Sequence, residues 1–468
     1  LPIYGTTNNG YAFLNSLERI WTGAASTVWG TAANWDESIL PLSYNNIRIP
    51  IVANQPVIES GVGVTCNDLK VDAGATLTVE SGGSLITSGA ITNNSNIHLK
   101  RTLAEETWHL ISVPNRVTTA NIFLGDFLQS WDETTYRWTQ ITDPATELNP
   151  LLGYSLWATP VKSNSTYTFT GTPVSGNQNQ PITVNGTGGE YNGANLLGNP
   201  YPSAIDWNGL RTYGAVYYWD GTAYLSWNSS GSGSRYIAPM QGFFIVATTS
   251  ILSTKSSLFS LTNSNRTHTG ATAYYKSGDD NPLSNGLVLQ ASNGSYNDEL
   301  WIILNDTTNE SFDLMSDAWK LKTSAPGISQ LWSVCPDGNL SIDVRPATDV
   351  IQLGFANDKA GTYTIGIKEI ADLNTAILED TKTNTFHDLS KSAYEFTWDP
   401  LTDDEKRFKL HLNAVGIEET PINESNLLIY AANGQIFIKG AEAGQLKVCD
   451  LMGRVVLQKE ISGNGIIS

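Results

Sequence analysis

The sequence predicts an all-β protein made of several domains. Apolar and polar residues alternate with period 2 between turn residues along the whole chain, whereas the 3.6-residue period of amphipathic helices is almost absent. Charged residues make up only 15% of the chain, and Gly, Ser, Thr and Asn are abundant, which favours short strands joined by uncharged turns. A chain of 468 residues is too long for one hydrophobic core, so we expect about three or four domains.

Residues 1–105 predict a region of very short strands. Runs such as LKVDAG and TLTVESG are separated by Gly, Asn or Ser, after an opening rich in Trp. This spacing is typical of the rungs of a parallel β-solenoid, and a small sandwich of hairpins is the alternative. The W…W…NW opening followed by GATLTVESGGSL resembles the start of many large secreted, adhesin-like proteins of the Bacteroidetes.

Residues 106–270 contain an internal repeat. WHLISVPNRV aligns with ANLLGNPYPS, SWDETTYRW with YWDGTAYLSW, and GYSLWAT with GFFIVAT, at offsets of 86, 88 and 89 residues. Three blocks in one order at nearly constant spacing predict two copies of one β unit, at about 108–160 and 195–249. The blocks together resemble a module found in Bacteroidetes proteins of the type IX secretion system, a resemblance that implies no activity.

Each copy is predicted to contain an aromatic hairpin. Asp220-Gly221 is a strong turn signal in copy two, and Glu133 replaces Gly221 in copy one, so we expect a looser or longer turn there. Trp and Tyr at hairpin tips can stack on sugar rings. The candidates for such glycan stacking are Trp131, Trp138, Trp219, Tyr224 and Trp227. The alternative is that these recurring aromatic residues build the core.

Residues 271–414 predict a further all-β domain. Roughly eight strands over this length are typical of a β-sandwich with Greek-key connections. FDLMSDAWKLKT and DDEKRFKLHL are similar to stretches that precede the tails of type IX substrates. Residues 415–425 then form a polar linker.

The last segment, 426–468, opens with a hairpin at Asn433-Gly434. The following VCDLMGRVV closely resembles the V-x-D-x-x-G-R-x-V core of the type IX sorting domain, type A. The matching residues are Val448, Asp450, Gly453, Arg454 and Val456. This resemblance implies an Ig-like domain recognised by the type IX secretion machinery, and a secreted or outer-membrane-attached protein of a Gram-negative bacterium. The family's final strands are missing after Ser468, so we expect an incomplete domain.

Bulk properties exclude several classes of partner. The net charge is −18, with 27 basic and 45 acidic residues. This charge argues against nucleic-acid binding, because such binding needs an excess of basic residues to neutralise the phosphate groups of the nucleic acid. No apolar run is long enough for a transmembrane helix. Because Leu1 is not preceded by a leader, we expect a processed or trimmed chain. Three scattered cysteines predict free thiols and no disulfide framework, and five histidines without HxH or HExxH spacing predict no zinc site.

Catalytic and metal-binding patterns are weak throughout the sequence. Glycoside hydrolysis requires two carboxyl groups that face each other across a cleft. The dense acidic spots lie instead in predicted turns, where the carboxylates are neighbours in sequence. They are Asp132-Glu133, Asp298-Glu299 and Asp403-Asp404-Glu405. Two loops carry the oxygen ligands that calcium prefers but lack the EF-hand spacing, so surface turns are the alternative there. Their oxygen ligands would be Asp279, Asp280 and Asn281 on one loop, and Asp337, Asn339 and Asp343 on the other. We therefore expect no catalytic residue, no resident metal and no cofactor.

Two functional hypotheses follow. The first is a secreted, non-catalytic surface protein, adhesin-like or structural, that carries its export signal and contacts a host or cell surface. The alternative is an extracellular carbohydrate-binding or glycan-degrading protein that uses the aromatic hairpins.

Overall fold

A computed structural model gives the fold of the chain. The residues it describes are 4–6, 12–14, 18–92, 96–160, 165–184, 192–249, 251, 258–272, 283–323, 325–373, 375–412, 428–432, 435–441, 443–449 and 455–467. They form two compact units, Leu1–Asp279 and Asp280–Ser468. The predicted fold class is confirmed, since strands in several sheets are the main regular structure of both units. No helix in the described stretches is long and apolar enough to cross a membrane.

The first unit begins with a three-sided parallel β-solenoid, after a small hairpin. The hairpin strands are β1 Tyr4–Thr6 and β2 Ala12–Leu14. The solenoid strands are β3 Glu18–Ile20, β4 Asn46–Ile49, β5 Val57–Ile58, β6 Gly63–Cys66, β7 Leu69–Val71, β8 Leu77–Val79, β9 Ser84–Thr87, β10 Ile91–Thr92 and β11 Ile97–Thr102. Parallel pairs form between β3 and β4 at an offset of 28 residues, and then between β4 and β7, β5 and β8, β6 and β9, β7 and β10, and β8 and β11 at offsets of 20 to 22 residues. This pairing is that of a solenoid and not of a sandwich of hairpins.

Short alternating strands explain the solenoid core. Ile47 lies above Leu69, which lies above Ile91, and the second face stacks Ile58 on Val79 in the same way. Each turn thus places apolar residues inside and polar residues outside, and stacking buries a continuous column. Cys66 is also buried in this core as a free thiol, and burial raises its pKa to about 12.

A cluster of three tryptophans closes the first turn of the solenoid. Trp21, Trp29 and Trp35 pack with ring centroids 4.8 to 6.2 Å apart. Trp35 Nε1 donates to the Trp29 carbonyl at 3.0 Å. The buried Asn34 side chain accepts from the backbone N–H of Ser26 at 2.7 Å. The Trp-rich opening of the sequence is therefore a cap over the solenoid core.

Two four-stranded sheets of identical topology follow the solenoid. The first contains β12 Trp108–Ile111, β13 Phe127–Asp132, β14 Arg137–Gln140 and β15 Tyr154–Trp157. After β16 Thr166–Thr170 and β17 Gln178–Pro181, the second contains β18 Ala194–Gly198, β20 Val216–Trp219, β21 Tyr224–Trp227 and β23 Gly242–Val246. Both sheets have the strand order first, fourth, second, third. The sequence repeat is therefore a repeat of structure.

The remaining strands of the first unit are short. They are β19 Ala204–Asp206, β22 Tyr236–Ile237, β24 Leu258–Leu261 and β25 Arg266–Thr267. Short 3₁₀ helices lie at Ala32–Asn34, Asp36–Ser38, Ala120–Phe123, Trp207–Tyr213 and Asn263–Asn265. Strand β16 pairs antiparallel with β11 and thereby ends the parallel stacking.

The second unit contains one large rolled sheet. Its strands are β26 Gly286–Ser292, β27 Asn297–Leu304, β28 Ala318–Trp319, β29 Gln330–Cys335, β30 Gly338–Arg345, β31 Val350–Ala356, β32 Gly361–Ala371, β33 Ala376–Asp380, β34 Thr385–Asp388, β35 Tyr394–Trp398 and β36 Phe408–Leu412. The order is β34-β33-β36-β31-β29-β30-β27-β26-β32-β35, with β28 beside β30. The expected two-sheet sandwich is thus a single, nearly closed, barrel-like sheet.

The sheet rolls because its two ends share one core. Phe396 on the end strand β35 packs against Phe408 on β36, with ring centroids 4.7 Å apart, and against Phe355 on β31 at 5.1 Å. We call the region where β35 packs against β36 and β31 the seam of the sheet. Arg407 stabilises the seam, because it binds the Asp380 carboxylate through two nitrogens, at 2.5 and 2.8 Å, and donates to the Thr397 carbonyl on β35 at 2.7 Å.

The second unit ends in two small sheets. Their strands are β37 Leu428–Ala432, β38 Gln435–Lys439, β39 Gly444–Cys449, β40 Val455–Ile461 and β41 Gly465–Ile467. The order β37-β38-β41 forms one sheet and β39-β40 the other. Ile438, Leu446 and Ile467 form their shared core. The predicted linker 415–425 lies outside the described residues.

Candidate functional site

The two repeats contact each other reciprocally. Ile111 of copy one forms a bridge with Gln241 of copy two, and Leu197 of copy two forms the equivalent bridge with Leu152 of copy one. Ile111 aligns with Leu197, and Leu152 aligns with Gln241. The copies are therefore related by a pseudo-two-fold axis, like the subunits of a symmetric dimer.

Each aromatic hairpin reaches over the first strand of the other copy. Trp131 Nε1 in copy one donates to the Ala194 carbonyl at 2.7 Å. Gly221 in copy two lies so close to Thr107 that a Cβ would be 3.0 Å from its hydroxyl. Each hairpin thus stays in the sheet of its own copy and contacts the other copy. Six residues lie between the paired Trp131 and Trp138 of copy one, and four between the paired Trp219 and Tyr224 of copy two. The connection beyond these pairs is therefore longer in copy one, as the Glu133 substitution predicted.

The five predicted stacking residues do not share one environment. Trp219 and Trp227 are buried, and Trp131, Trp138 and Tyr224 are half-buried. The three half-buried rings gather around Phe244, with centroids 5.6, 6.1 and 5.8 Å from its ring. Because Trp131 and Trp138 come from copy one and Tyr224 from copy two, this cluster joins the copies. All three rings pack edge to face on Phe244, and each keeps part of its surface exposed.

The first acidic spot has structural roles. Asp132 accepts from the Thr134 and Thr135 hydroxyls at 2.6 and 2.7 Å, and these hydrogen bonds lower the pKa of the Asp132 carboxyl. Glu133 is buried and accepts from the Gly193 N–H at 2.9 Å and the Thr183 hydroxyl at 2.7 Å. Glu133 therefore fastens the copy-one hairpin to copy two.

The two carboxylates of the second acidic spot, Asp298 and Glu299, lie on opposite faces of strand β27. Asp298 is buried, in phase with the core residue Leu300, and pairs with the buried Lys320. It also accepts from the Leu331 N–H at 2.6 Å. Burial raises the pKa of the Asp298 carboxyl. Glu299, on the opposite face, pairs with Lys368 at 2.5 Å. Adjacent strand residues point to opposite faces, so these carboxylates do not face each other across a cleft.

The third acidic spot belongs to the seam of the rolled sheet. The Asp403 carboxylate is fully buried and contacts Arg407 at 3.1 Å as well as Lys382. Asp404 accepts from the Lys406 N–H at 2.8 Å. Glu405 pairs with Lys322 at 3.1 Å. Each carboxylate of this spot therefore serves local structure.

Asp337 and Asp343, two of the residues considered as calcium ligands, contact different parts of the structure. Asp337 accepts from the Phe312 N–H at 2.8 Å, whereas Asp343 is buried and pairs with Arg345 at 2.9 Å. In the part of the chain that the structure describes, no group of three or more His, Cys, Asp and Glu side chains could hold a metal ion. The other candidates, Asp279, Asp280 and Asn281, lie outside the described residues.

A polar cluster on the third solenoid face was not predicted. His268 hydrogen-bonds through Nε2 to the Thr65 hydroxyl at 2.8 Å and through Nδ1 to the Ser84 hydroxyl at 2.7 Å. Gly63 leaves room for this ring, since a Cβ there would lie 2.5 Å from it. Arg266 donates to the Leu85 carbonyl at 2.9 Å. These two side chains fasten the end of the first unit to the solenoid.

The cluster has the residue types of a nucleophile and base but not their arrangement. Ser84 is only 1% exposed, so a substrate does not reach its hydroxyl. Both nitrogens of His268 bond to hydroxyls, and a carboxylate does not orient the ring as in a catalytic triad. Burial lowers the pKa of His268, and the Arg266 charge lowers it further. The contacts connect residues about 180 to 200 positions apart, so local sequence carried no signal for them.

The sorting-domain motif spans the strand pair β39-β40. Val448 is half-buried against the small C-terminal core, and Val456 is 63% exposed. Asp450, Gly453 and Arg454 lie outside the described residues. The structure therefore places two of the five motif residues, on neighbouring strands.

Comparison with known proteins gives one match. The profile of a protein family described as Domain of unknown function (DUF8693) matches residues 20–122 and 210–412, more than half of the chain. The stretch between them, 123–209, is about as long as the offset of 86 to 89 residues between the copies. The matched stretches thus contain the equivalent of one copy, between the solenoid and the rolled sheet. No curated protein and no solved structure matches the chain.

Proposed function

Since this chain belongs to the family described as Domain of unknown function (DUF8693), we propose its role from its architecture: a secreted, non-catalytic surface protein, adhesin-like or structural. Its C-terminal segment, 426–468, serves in this proposal as the signal for export by a type IX secretion system and for attachment at the cell surface.

One observation carries the non-catalytic part of the proposal. The polar side chains that chemistry would need are instead used to fasten β modules together. Glu133 joins the two repeats, His268 joins the solenoid to the end of its unit, and Arg407 seals the rolled sheet. Catalytic acids and bases are expected in a cleft, within reach of a substrate. Buried polar contacts that join β modules instead favour a rigid, protease-resistant protein as the substrate of the export system.

The export part rests on the motif and on the C-terminal core. Ile438, Leu446 and Ile467 form a core separate from that of the rolled sheet. A segment with its own core can be recognised as a module, which is consistent with a role as a secretion signal, although Tyr430 also packs against Ile377 of the rolled sheet. The resemblance of Val448, Asp450, Gly453, Arg454 and Val456 to the type A motif supports the identity of that signal.

The motif can be tested in a Bacteroidetes host with an active type IX system. The full chain is expressed behind a periplasmic leader, as wild type and as the variants Asp450→Ala and Arg454→Ala. The control is Lys459→Ala, an exposed position on β40 outside the motif. We expect wild type and control outside the cell and both motif variants retained in the periplasm. Equal export of all four proteins would contradict a role for the motif.

A further inference from the structure

A row of aromatic residues crosses the outer part of the first repeat sheet. Trp108 on β12 is directly opposite Trp157 on β15, which is directly opposite Phe127 on β13. Directly paired residues share one face of a sheet, so the three rings stand side by side on neighbouring strands. Phe127 is 52% exposed, and both tryptophans are half-buried. These residues are distinct from the hairpin residues predicted to stack on sugars.

The second repeat shows that the fold does not need these rings. Strand register aligns Trp108 with Ala194 and Trp157 with Val246, which pair in copy two as the tryptophans pair in copy one. The offset of 88 residues between the hairpins aligns Phe127 with Ala215. Copy two thus builds the same sheet with two alanines and a valine. The exposed Phe127 ring and the two half-buried tryptophan rings in copy one therefore call for an explanation other than sheet formation.

Polar groups border the row on both sides. Towards the sheet interior, the next positions on the same face are Gln129 on β13, the buried Ser155 on β15 and the buried Leu110 on β12. At the outer edge, Asp126 accepts from the Thr159 hydroxyl and N–H at 2.9 and 3.0 Å. The row is consequently an apolar strip with the partly exposed Gln129 amide on one side and the partly exposed Asp126 carboxylate on the other. A sugar ring has the matching shape, with an apolar C–H face and hydroxyls around its rim.

The rings also restrict the form of the ligand. The Trp108 and Trp157 rings are inclined at 65°, with centroids 5.6 Å apart. Inclined rings cannot all lie against one flat crystalline surface, but they can follow a single chain. Asp126 and the exposed Glu106 next to the row, together with the net charge of −18, repel an anionic polymer.

We propose that Trp108, Trp157 and Phe127 form a stacking site for a single chain of a neutral polysaccharide. The pyranose rings stack on the aromatic faces, and their hydroxyls bond to the polar edges. This site goes beyond the proposed surface role, because it names the class of ligand that an adhesin-like protein would hold.

The test compares the purified full chain with a variant that carries the residues of copy two. In Trp108→Ala/Phe127→Ala/Trp157→Val each aromatic residue is replaced by its counterpart, so the sheet is expected to fold. The control, Ile51→Ala, removes an apolar side chain that is 67% exposed on the solenoid. Thermal unfolding checks that all three proteins are folded. Migration is then measured in native gels containing glucomannan, xyloglucan, xylan or, as an anionic comparison, alginate.

We expect at least one neutral polysaccharide to retard wild type and control, with the triple variant at least about tenfold weaker in affinity. Alginate should not retard the protein. The proposal is wrong if no neutral polysaccharide retards the wild type, or if the folded triple variant is retarded equally. A wild-type dimer in light scattering that the triple variant abolishes would also overturn it, in favour of a second copy of the chain. Because the assay uses purified protein, its failure is distinct from failed export.

Discussion

Gly198 and Ser112 are equivalent residues of the two repeats, and they contact each other where the repeats meet. A Cβ on Gly198 would lie 2.4 Å from the Ser112 Cβ. Their backbones make equivalent bonds, from the Ser112 N–H to the Met240 carbonyl and from the Gly198 N–H to the Leu151 carbonyl, both 2.9 Å. The pseudo-two-fold axis therefore passes close to this pair, and it leaves no space for a side chain at position 198.

The Gly198→Ala variant tests this close approach. The added methyl overlaps Ser112 and lies 2.6 Å from the Leu152 carbonyl oxygen, so we expect a loss of about 1–3 kcal/mol in the free energy of unfolding. Urea unfolding of the full chain measures it. Gly30→Ala is the control, since no atom lies within 4 Å of a Cβ there. A loss no larger than the control's would show that the repeats are not packed this closely.

The His268 cluster predicts a pH dependence of stability. The pKa of His268 is lowered in the folded protein, so the unfolded chain binds more protons and stability falls as the pH drops below the ordinary histidine pKa of about 6.5. The thermal midpoint of His268→Gln, which does not titrate, should change less than that of wild type between pH 7.5 and 5.5. His109 contributes in the same direction, because burial lowers its pKa as well, so the dependence should be reduced but not removed. If the thermal midpoints of wild type and His268→Gln changed equally with pH, the predicted role of His268 would be wrong.

Arg407 should be among the most sensitive positions of the second unit. Among the residues that the structure describes, its removal takes the only guanidinium partner from the buried Asp380 carboxylate, which keeps the Tyr394 hydroxyl. It also leaves the buried Asp403 carboxylate with Lys382 alone as its cation among those residues. We expect Arg407→Met to cost about 3–5 kcal/mol in the free energy of unfolding, and Arg407→Lys to recover only part of this, since lysine cannot bind two oxygens in parallel. The matched control is Lys391→Met, which removes an exposed pair with Asp388 worth at most about 1 kcal/mol. If Arg407→Met and Lys391→Met lost similar amounts of unfolding free energy, the predicted role of Arg407 in stabilising the seam would be wrong.

The buried Asp298–Lys320 pair predicts a non-additive result. Each single variant, Asp298→Leu or Lys320→Met, leaves one charge buried without its partner and should be strongly destabilising. The double variant removes both charges and should be more stable than either single variant. Chemical unfolding of the four proteins measures this cycle. Additive losses would show that the two groups do not depend on each other.

Local patterns in the sequence predicted much of the fold. Strand alternation and turn residues identified the short strands, and the offsets between Trp131 and Trp219 and between Gly153 and Gly242 identified the repeat whose two sheets share one strand order. The Glu133 substitution predicted the longer turn. These signals are local because backbone preferences and alternation act over a few residues.

Long-range pairing could not be predicted in the same way. The contact of His268 with Thr65 joins residues 203 positions apart, and Phe396 on the end strand β35 packs against Phe408 on β36, which lies near the other end of the strand order. The aromatic row was missed for the same reason. Trp108, Trp157 and Phe127 are far apart in sequence, and only the register of three strands places them side by side.

The most direct test of the surface role is the location of the full chain in two isogenic Bacteroidetes strains, with and without a functional type IX system. The chain is expressed behind a periplasmic leader, and intact cells are treated with protease before immunoblotting of cells and medium. We predict protein on the cell surface or in the medium of the competent strain, and only in the periplasm of the deficient strain. The same location in both strains would contradict the account.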